Sequence, residues 1–302
     1  MIELWIPITI VAAFFQNLRS AIQKHLKDRL SNSGAAYARF FYALPFSIAY
    51  VVALERFTDF ELPDLNPRFL LYCLLGGLSQ IIFTVTLLTM FSYRSFAVGT
   101  TFSKLEVVMV MVFGALLLGD MPGTYGAIAI GVSALGLMVL SIGQSHLSFR
   151  GMIRGLAEKS TLMGLACAAW LGASVVFFRG ASLALGHDSF IMAAAFTLAV
   201  SLVIQTILMG GWLVVREPGE LTCVLHNWRW AGLVGLSGVI ASIGWFTAFT
   251  IENAGYVRAL GQIELVFTYI ATVAVFREKV SLLETFGIIL VSAGILVIVI
   301  HT

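Results

Sequence analysis

The sequence predicts an all-α polytopic membrane protein: ten transmembrane helices arranged as two inverted five-helix repeats. Three observations lead there. The chain of 302 residues is 59% hydrophobic and only 11% charged, whereas a soluble domain carries about 25% charged residues. Its apolar runs reach the roughly 20 residues that cross a bilayer, and they do not alternate as barrel strands do. The two halves also repeat one order of spans, loops and charged residues.

The candidate spans are Leu4–Gln23, Ala36–Leu54, Phe69–Met90, Phe96–Leu118, Pro122–Ile142, Leu162–Phe178, Ser189–Val215, Trp230–Thr250, Tyr256–Phe276 and Leu282–Ile300. The sixth is short unless it runs on past Arg179. The first has no basic leader and no small-residue cleavage pattern, so it reads as a retained helix. Pro63 and Pro67 interrupt the acidic loop Glu55–Arg68. Gly143–Ser160 joins spans five and six and divides the chain into a first repeat, residues 1–148, and a second, 149–302.

Several correspondences support duplication. Loops Glu55–Arg68 and Arg216–Arg229 have equal length, and each leads into an aromatic, Phe69 or Trp230. Glu106 falls on Glu264, Asp120 on Glu278 and Gly136 on Gly294 at one offset, 264 − 106 = 278 − 120 = 294 − 136 = 158. Five spans per half, an odd number, puts homologous halves in opposite orientations. The loop Lys and Arg residues are uneven: eleven on one side, and Arg56, Arg68, Arg179 and Arg258 on the other. By the positive-inside rule both termini would lie outside.

The stretch Thr101–Glu106 is the most informative. Lys104 and Glu106 lie within a candidate span, and Gln262 and Glu264 hold the corresponding places. Glu106 precedes the helix end at Asp120 by 14 residues, about 21 Å at the helical rise. A charge facing lipid is costly, so these carboxylates are expected to face protein or a watery cavity. Their functional reading is proton coupling or cation recognition; their structural reading is a hydrogen bond between helices. On a continuous helix Lys104 and Glu106 would point about 200° apart. Lys104 therefore needs another anion or must reach the interface. Arg39 enters the second span ahead of Phe40, Phe41 and Tyr42, as a solute contact or an interfacial anchor. Gln16 and Gln23 share a face of the first span and, with Arg19, give it a polar flank, while Asn17 lies off that stripe. Gln80 and Gln205 read as amide links between helices. Trp170 and Trp245 are the mid-span aromatics best suited to line a cavity. Ala127/Gly131 and Ala231/Gly235 have the small-xxx-small spacing of close helix contacts.

Other functions lack their chemistry. The net charge of +2 and the absence of a basic stripe exclude nucleic-acid binding. No phosphate loop, HExxH, nucleophile elbow or His/Cys cluster occurs, so an enzyme is not expected, nor a cofactor or a metal. Cys73, Cys167 and Cys223 form no ligand spacing, and His187-Asp188 lacks a third partner.

Taken together, the run from Lys104-Leu-Glu106 to Gly119-Asp120-Met121-Pro122, the span ending at Gly136, the echo from Gln262-Ile-Glu264 to Arg277-Glu278-Lys279 and Gly294, and Arg39-Phe40 resemble the EamA-like permeases of the drug/metabolite transporter superfamily. The resemblance covers essentially the whole chain. It implies two inverted repeats around a central cavity, export of amino acids, metabolites or toxic compounds in exchange for protons, and both termini in the cytoplasm. Relatives commonly carry Gly-Glu where this chain has Gly119-Asp120. They often place Pro near the start of the fourth or ninth span, where this chain has Val107 and Leu265, so no proline-driven kink is expected. The combined expectation is a multi-pass cell-membrane protein, in the inner membrane if the source is Gram-negative. It would act as a monomer, moving an amino-acid-like or amphipathic organic solute through the lipid bilayer with the proton as coupling ion. The alternatives are a non-transporting scaffold or sensor and an intramembrane enzyme.

Overall fold

The computed structural model describes residues 3–26, 29–90, 101–145, 159–274 and 280–301. The helices are α1 Trp5–Leu26, α2 Asn32–Phe57, α3 Pro67–Met90, α4 Glu106–Phe113 with a π-helical turn over Gly114–Leu118, α5 Thr124–Ser145 and α6 Lys159–Ala184. They continue with α7 Phe190–Arg216, α8 Pro218–His226, α9 Trp228–Ile251, α10 Ala254–Gly261, α11 Ile263–Ala274 and α12 Leu282–His301. Among the described residues, eight helical segments are long and apolar enough to cross a membrane. The protein is therefore an all-α polytopic membrane protein. Large apolar side chains such as Leu116, Ile207 and Ile300 face outward, as contact with lipid requires.

Two compact units emerge, and each draws on both halves of the sequence. The first comprises Met1–Ile6, Ile82–Val176 and Glu252–Thr302; the second comprises Pro7–Ile81 and Phe177–Ile251.

In the first unit α5 packs along α12, and glycine sets their separation. A Cβ on Gly136 would lie 2.7 Å from the Val291 nitrogen and 2.8 Å from the Gly287 oxygen. A Cβ on Gly294 would lie 2.7 Å from the Ala129 oxygen and 3.0 Å from the Ser133 nitrogen. The contacts are reciprocal: adding 158 to 136, 133 and 129 gives 294, 291 and 287. Gly131, expected at a close contact, has nothing within 4 Å of such a Cβ; it lies off the seam. Gly172 of α6 admits α4, because a Cβ there would be 2.8 Å from the Met109 Cβ.

In the second unit α2 packs against α7 and α9. Phe40, Phe178, Leu198, Leu202, Val234 and Phe246 are buried in its core. Gly235 lies on the Tyr42 backbone, 2.7 Å from its oxygen to a built Cβ, so the Ala231/Gly235 spacing does mark a close approach. Gly244 likewise sits on Ala12 of α1.

Several expectations are corrected. The sixth span runs on past Arg179 to Ala184. Arg179 is thus no loop charge: it is buried and donates to the Phe249 carbonyl near the end of α9, where the helix dipole favours a cation. Arg258 also lies in a helix, α10. All four residues counted on the sparse side of the charge balance therefore lie in helices, since Arg56 falls in the last turn of α2 and Arg68 in the first turn of α3. The loop Arg216–Arg229 contains α8, started by Pro218 at its first turn. Its partner in length, residues 58–66, is not helical. Glu220 accepts from the Ser31 N–H at 2.7 Å and Glu217 from the Ser31 hydroxyl at 3.1 Å, so α8 secures the start of α2. His187 is a loop residue, accepting from the Ser189 N–H at 3.0 Å and bonding the Glu61 carbonyl at 2.9 Å. Tyr93, residues 96–100, most of the loop dividing the proposed repeats and Arg277-Glu278-Lys279 lie outside the described residues, as do the side chains of Gln23 and Lys24.

The α5/α12 seam makes a clear test. Gly136→Ala forces a Cβ against backbone and should cost about 1–3 kcal/mol. Gly131→Ala meets open space and should leave stability unchanged or slightly raised. Thermal unfolding in detergent micelles compares the two.

Candidate functional site

The fourth and ninth candidate spans are broken, and they break at matching positions. After a helical turn at residues 101–103, Lys104 and Leu105 form a tight turn. The Lys104 N–H bonds the Thr101 carbonyl at 3.2 Å and the Leu105 N–H bonds Phe102 at 3.1 Å. The helix resumes at Glu106. In the later span the break falls at Gln262, whose N–H bonds Ala259 at 3.2 Å, and the helix resumes at Ile263. Lys104 and Gln262 differ by 158. Neither break contains proline, so neither is a proline-driven kink; each is a tight turn closed by backbone hydrogen bonds.

Each break places a carboxylate in the first turn of the resumed helix, Glu106 in α4 and Glu264 in α11. Negative side chains there complement the helix dipole. Three-residue closures leave carbonyls short of their usual partners. Gln262 answers one of these: its side-chain amide donates to the Arg258 carbonyl at 3.4 Å.

Arg258 is the residue the sequence reading missed. Its guanidinium forms an ion pair with Glu106, and the two side chains are 12% and 13% exposed. The pair joins α10 to α4. Asn253 caps α10 by accepting from the Gly255 N–H at 2.8 Å, while its amide donates to the Asp120 carbonyl at 3.1 Å. Tyr256 accepts from the Gly123 N–H at 2.8 Å. Both links tie α10 to the end of the α4 segment, where Gly119 takes the left-handed conformation, φ 69°. A signal for Arg258 was present in the sequence: it lies four residues before Gln262, one helical turn ahead of the break.

The other expected residues divide between the units. Lys104, Glu106, Gln262, Glu264 and Trp170 belong to the first. Gln262 is buried, whereas Trp170 is 39% exposed. Arg39, Gln16 and Trp245 belong to the second. Trp245 is buried and stacked on Phe249 at 5.6 Å. Gln16 is half-buried on α1. Arg39 borders a small cavity with Gln80 and Gln205, which bond each other at 2.6 Å, as expected of amide links. Cys73 and Cys167 are buried and Cys223 is exposed. Among the described residues no His/Cys/Asp/Glu group is arranged to hold a metal.

Comparison with known proteins agrees with this architecture. One solved crystal structure, described only as "Crystal structure of protein", aligns over 97% of this chain and 95% of its own, with TM-score 0.68 and 15% identity; at that identity the likeness concerns the fold alone. No curated protein sequence gives a significant match. The model of the EamA-like transporter family matches residues 3–142 and again residues 159–300. The chain belongs to the EamA-like transporter family and is a small-molecule membrane transporter.

Proposed function

We propose that this transporter exports small organic solutes, amino-acid-like or amphipathic, in exchange for protons. Its architecture in this reading is ten membrane helices in two inverted repeats, residues 1–148 and 149–302, acting as a monomer in the cell membrane, the inner membrane in a Gram-negative source. The observation that carries the reading is the pair of helix breaks at Lys104 and Gln262, each followed two residues later by a carboxylate. Two consecutive matches to one family model and the reciprocal glycine contacts of α5 and α12 support the repeat.

Interrupted helices suit transport because irregular backbone is tolerated in a membrane only against protein or a wet cavity. Glu106 and Glu264 are the coupling candidates. Glu106 faces Arg258. A proton on Glu106 would remove the charge that holds Arg258 and loosen the link between α4 and α10. Lys104 and Gln262 occupy equivalent places with different chemistry, as recognition of a non-symmetric solute requires. Trp170, Trp245, Gln16 and Arg39 are the remaining solute-contact candidates.

Two outcomes follow. In proteoliposomes, Glu264→Gln should retain solute exchange but lose at least about ten-fold of the pH-gradient-driven component, a change of about 1.4 kcal/mol in driving interaction. Equal flux and equal pH dependence in wild type and variant would remove Glu264 from the coupling role. Separately, Glu106→Gln leaves the Arg258 charge without its partner and should cost about 3 kcal/mol. The double variant Glu106→Gln/Arg258→Gln should recover a large part of that loss, a coupling measured by thermal unfolding of all four proteins.

A further inference from the structure

In the second unit a short helix joins the ends of two spans, and the side chains it leaves outward are basic and aromatic. α7 has 27 residues, about 40 Å at the helical rise, so its last turn clears a hydrocarbon core of about 30 Å. Arg216 closes that turn, and Arg229 stands in the first turn of α9. α8 connects the two and therefore lies at headgroup depth. It packs on α2, and its Val224 is buried. The Tyr42 hydroxyl donates to the Val224 carbonyl at 3.3 Å and the Asn227 amide to the Cys223 carbonyl at 2.9 Å, so carbonyls of its last turn are met by protein. Arg216 and Arg229 are exposed, and so are Trp212, Val215, Leu225 and Trp228 around them.

The acids of this corner turn inward. Glu217 accepts from the Ser31 hydroxyl at 3.1 Å and the Ser33 hydroxyl at 3.4 Å, and Glu220 accepts from the Ser31 N–H at 2.7 Å. Glu220 stands four residues after Arg216, an ion-pair spacing on one continuous helix. The break at Glu217 and the Ser31 contact take its carboxylate to α2 instead. Among the described residues neither Arg216 nor Arg229 pairs with a carboxylate, and the Arg229 guanidinium lies 5.5 Å from the Trp228 ring centre. Indole rings favour the membrane interface, and a planar guanidinium bonds phosphate oxygens in pairs. We propose that α8 and the two helix ends it joins dock anionic phospholipid headgroups, with Arg216 and Arg229 on the lipid phosphates and Trp212 and Trp228 holding the corner at that depth. A zwitterionic headgroup brings its own cation to the contact, so two uncompensated arginines select a lipid of net negative charge. The exposed apolar and indole groups beside them fit a lipid surface and not a phosphate free in water. The proposal is independent of the transported solute and of the coupling ion.

The test offers the full chain, in a neutral detergent, equal amounts of phosphatidylglycerol and phosphatidylcholine and reads the retained lipid by native mass spectrometry. Wild type should retain phosphatidylglycerol in preference. Arg216→Gln and Arg229→Gln should each lower the preference about five-fold, the effect of one basic residue at an anionic surface. The double variant should lower it by about the product, 25-fold, and Arg216→Lys/Arg229→Lys, which keeps both charges, should restore most of it. Added salt should weaken the wild-type preference, because exposed charges are screened; this series needs no variant and decides the matter if a variant does not fold. In nanodiscs, phosphatidylglycerol should raise the unfolding temperature of wild type more than that of the double glutamine variant. Equal retention of the two lipids by wild type, a preference unchanged in the double glutamine variant, or a preference insensitive to salt overturns the proposal. Glycerol phosphate, the soluble part of the headgroup, supplies the remaining arm. If it displaces phosphatidylglycerol at equal concentration, the arginines bind free phosphate esters and the lipid surface is ruled out; if it does not, the lipid assignment stands.

Discussion

A carboxylate and a guanidinium within helices of a membrane protein impose a severe constraint. Either charge alone would be costly away from water, so the two must be brought together and held. Glu106 and Arg258 satisfy it from residues 152 apart. Glu106 is presented by the helix that resumes after the Lys104–Leu105 turn. Arg258 is presented by α10, whose position depends on the Asn253 cap, the Asn253–Asp120 link and the Tyr256–Gly123 bond. Much of the polar structure of the first unit thus serves one contact. The breaks, the cap and the left-handed Gly119 are parts of a single device for setting two short helix segments against each other.

The membrane class was legible because it follows from composition and run length, which burial in lipid dictates directly. Most helices fall within a few residues of their apolar runs for the same reason. The register of the two breaks was partly legible. An offset of 158 aligned Lys104 with Gln262 and Glu106 with Glu264, but the residues at those places carry no helix-breaking chemistry of their own. Local propensity marks proline and glycine; it does not mark a tight turn whose carbonyl is met by a glutamine one turn away. Arg258 and Arg179 were misread for a related reason. Charge near the end of an apolar run looks like a loop residue, whereas in the fold each guanidinium reaches an acceptor, a carboxylate for Arg258 and a helix-terminal carbonyl for Arg179. Partners distant in sequence leave no local pattern.

Glycine shows the same division. Gly131, Gly136, Gly235 and Gly294 are equivalent in composition, and small-residue spacing selects two of them. Only the packed structure separates Gly131, which faces open space, from Gly136, Gly235 and Gly294, which set backbone contacts. Spacing identifies faces on which helices can approach; the opposing helix decides which small residue is required.

The two units use charge differently, and this bears on mechanism. In the first, an acid and a base neutralise each other across α4 and α10. In the second, the buried Arg179 guanidinium is met by a neutral acceptor, the Phe249 carbonyl near the end of α9. A closed ion pair suits a group that must hold its helices until its charge changes. A cation on a helix-terminal carbonyl draws instead on the helix dipole. The first arrangement joins two helix segments through charges that cancel; the second fastens one helix to the end of another without a second charge, because the terminal carbonyls already carry partial negative charge.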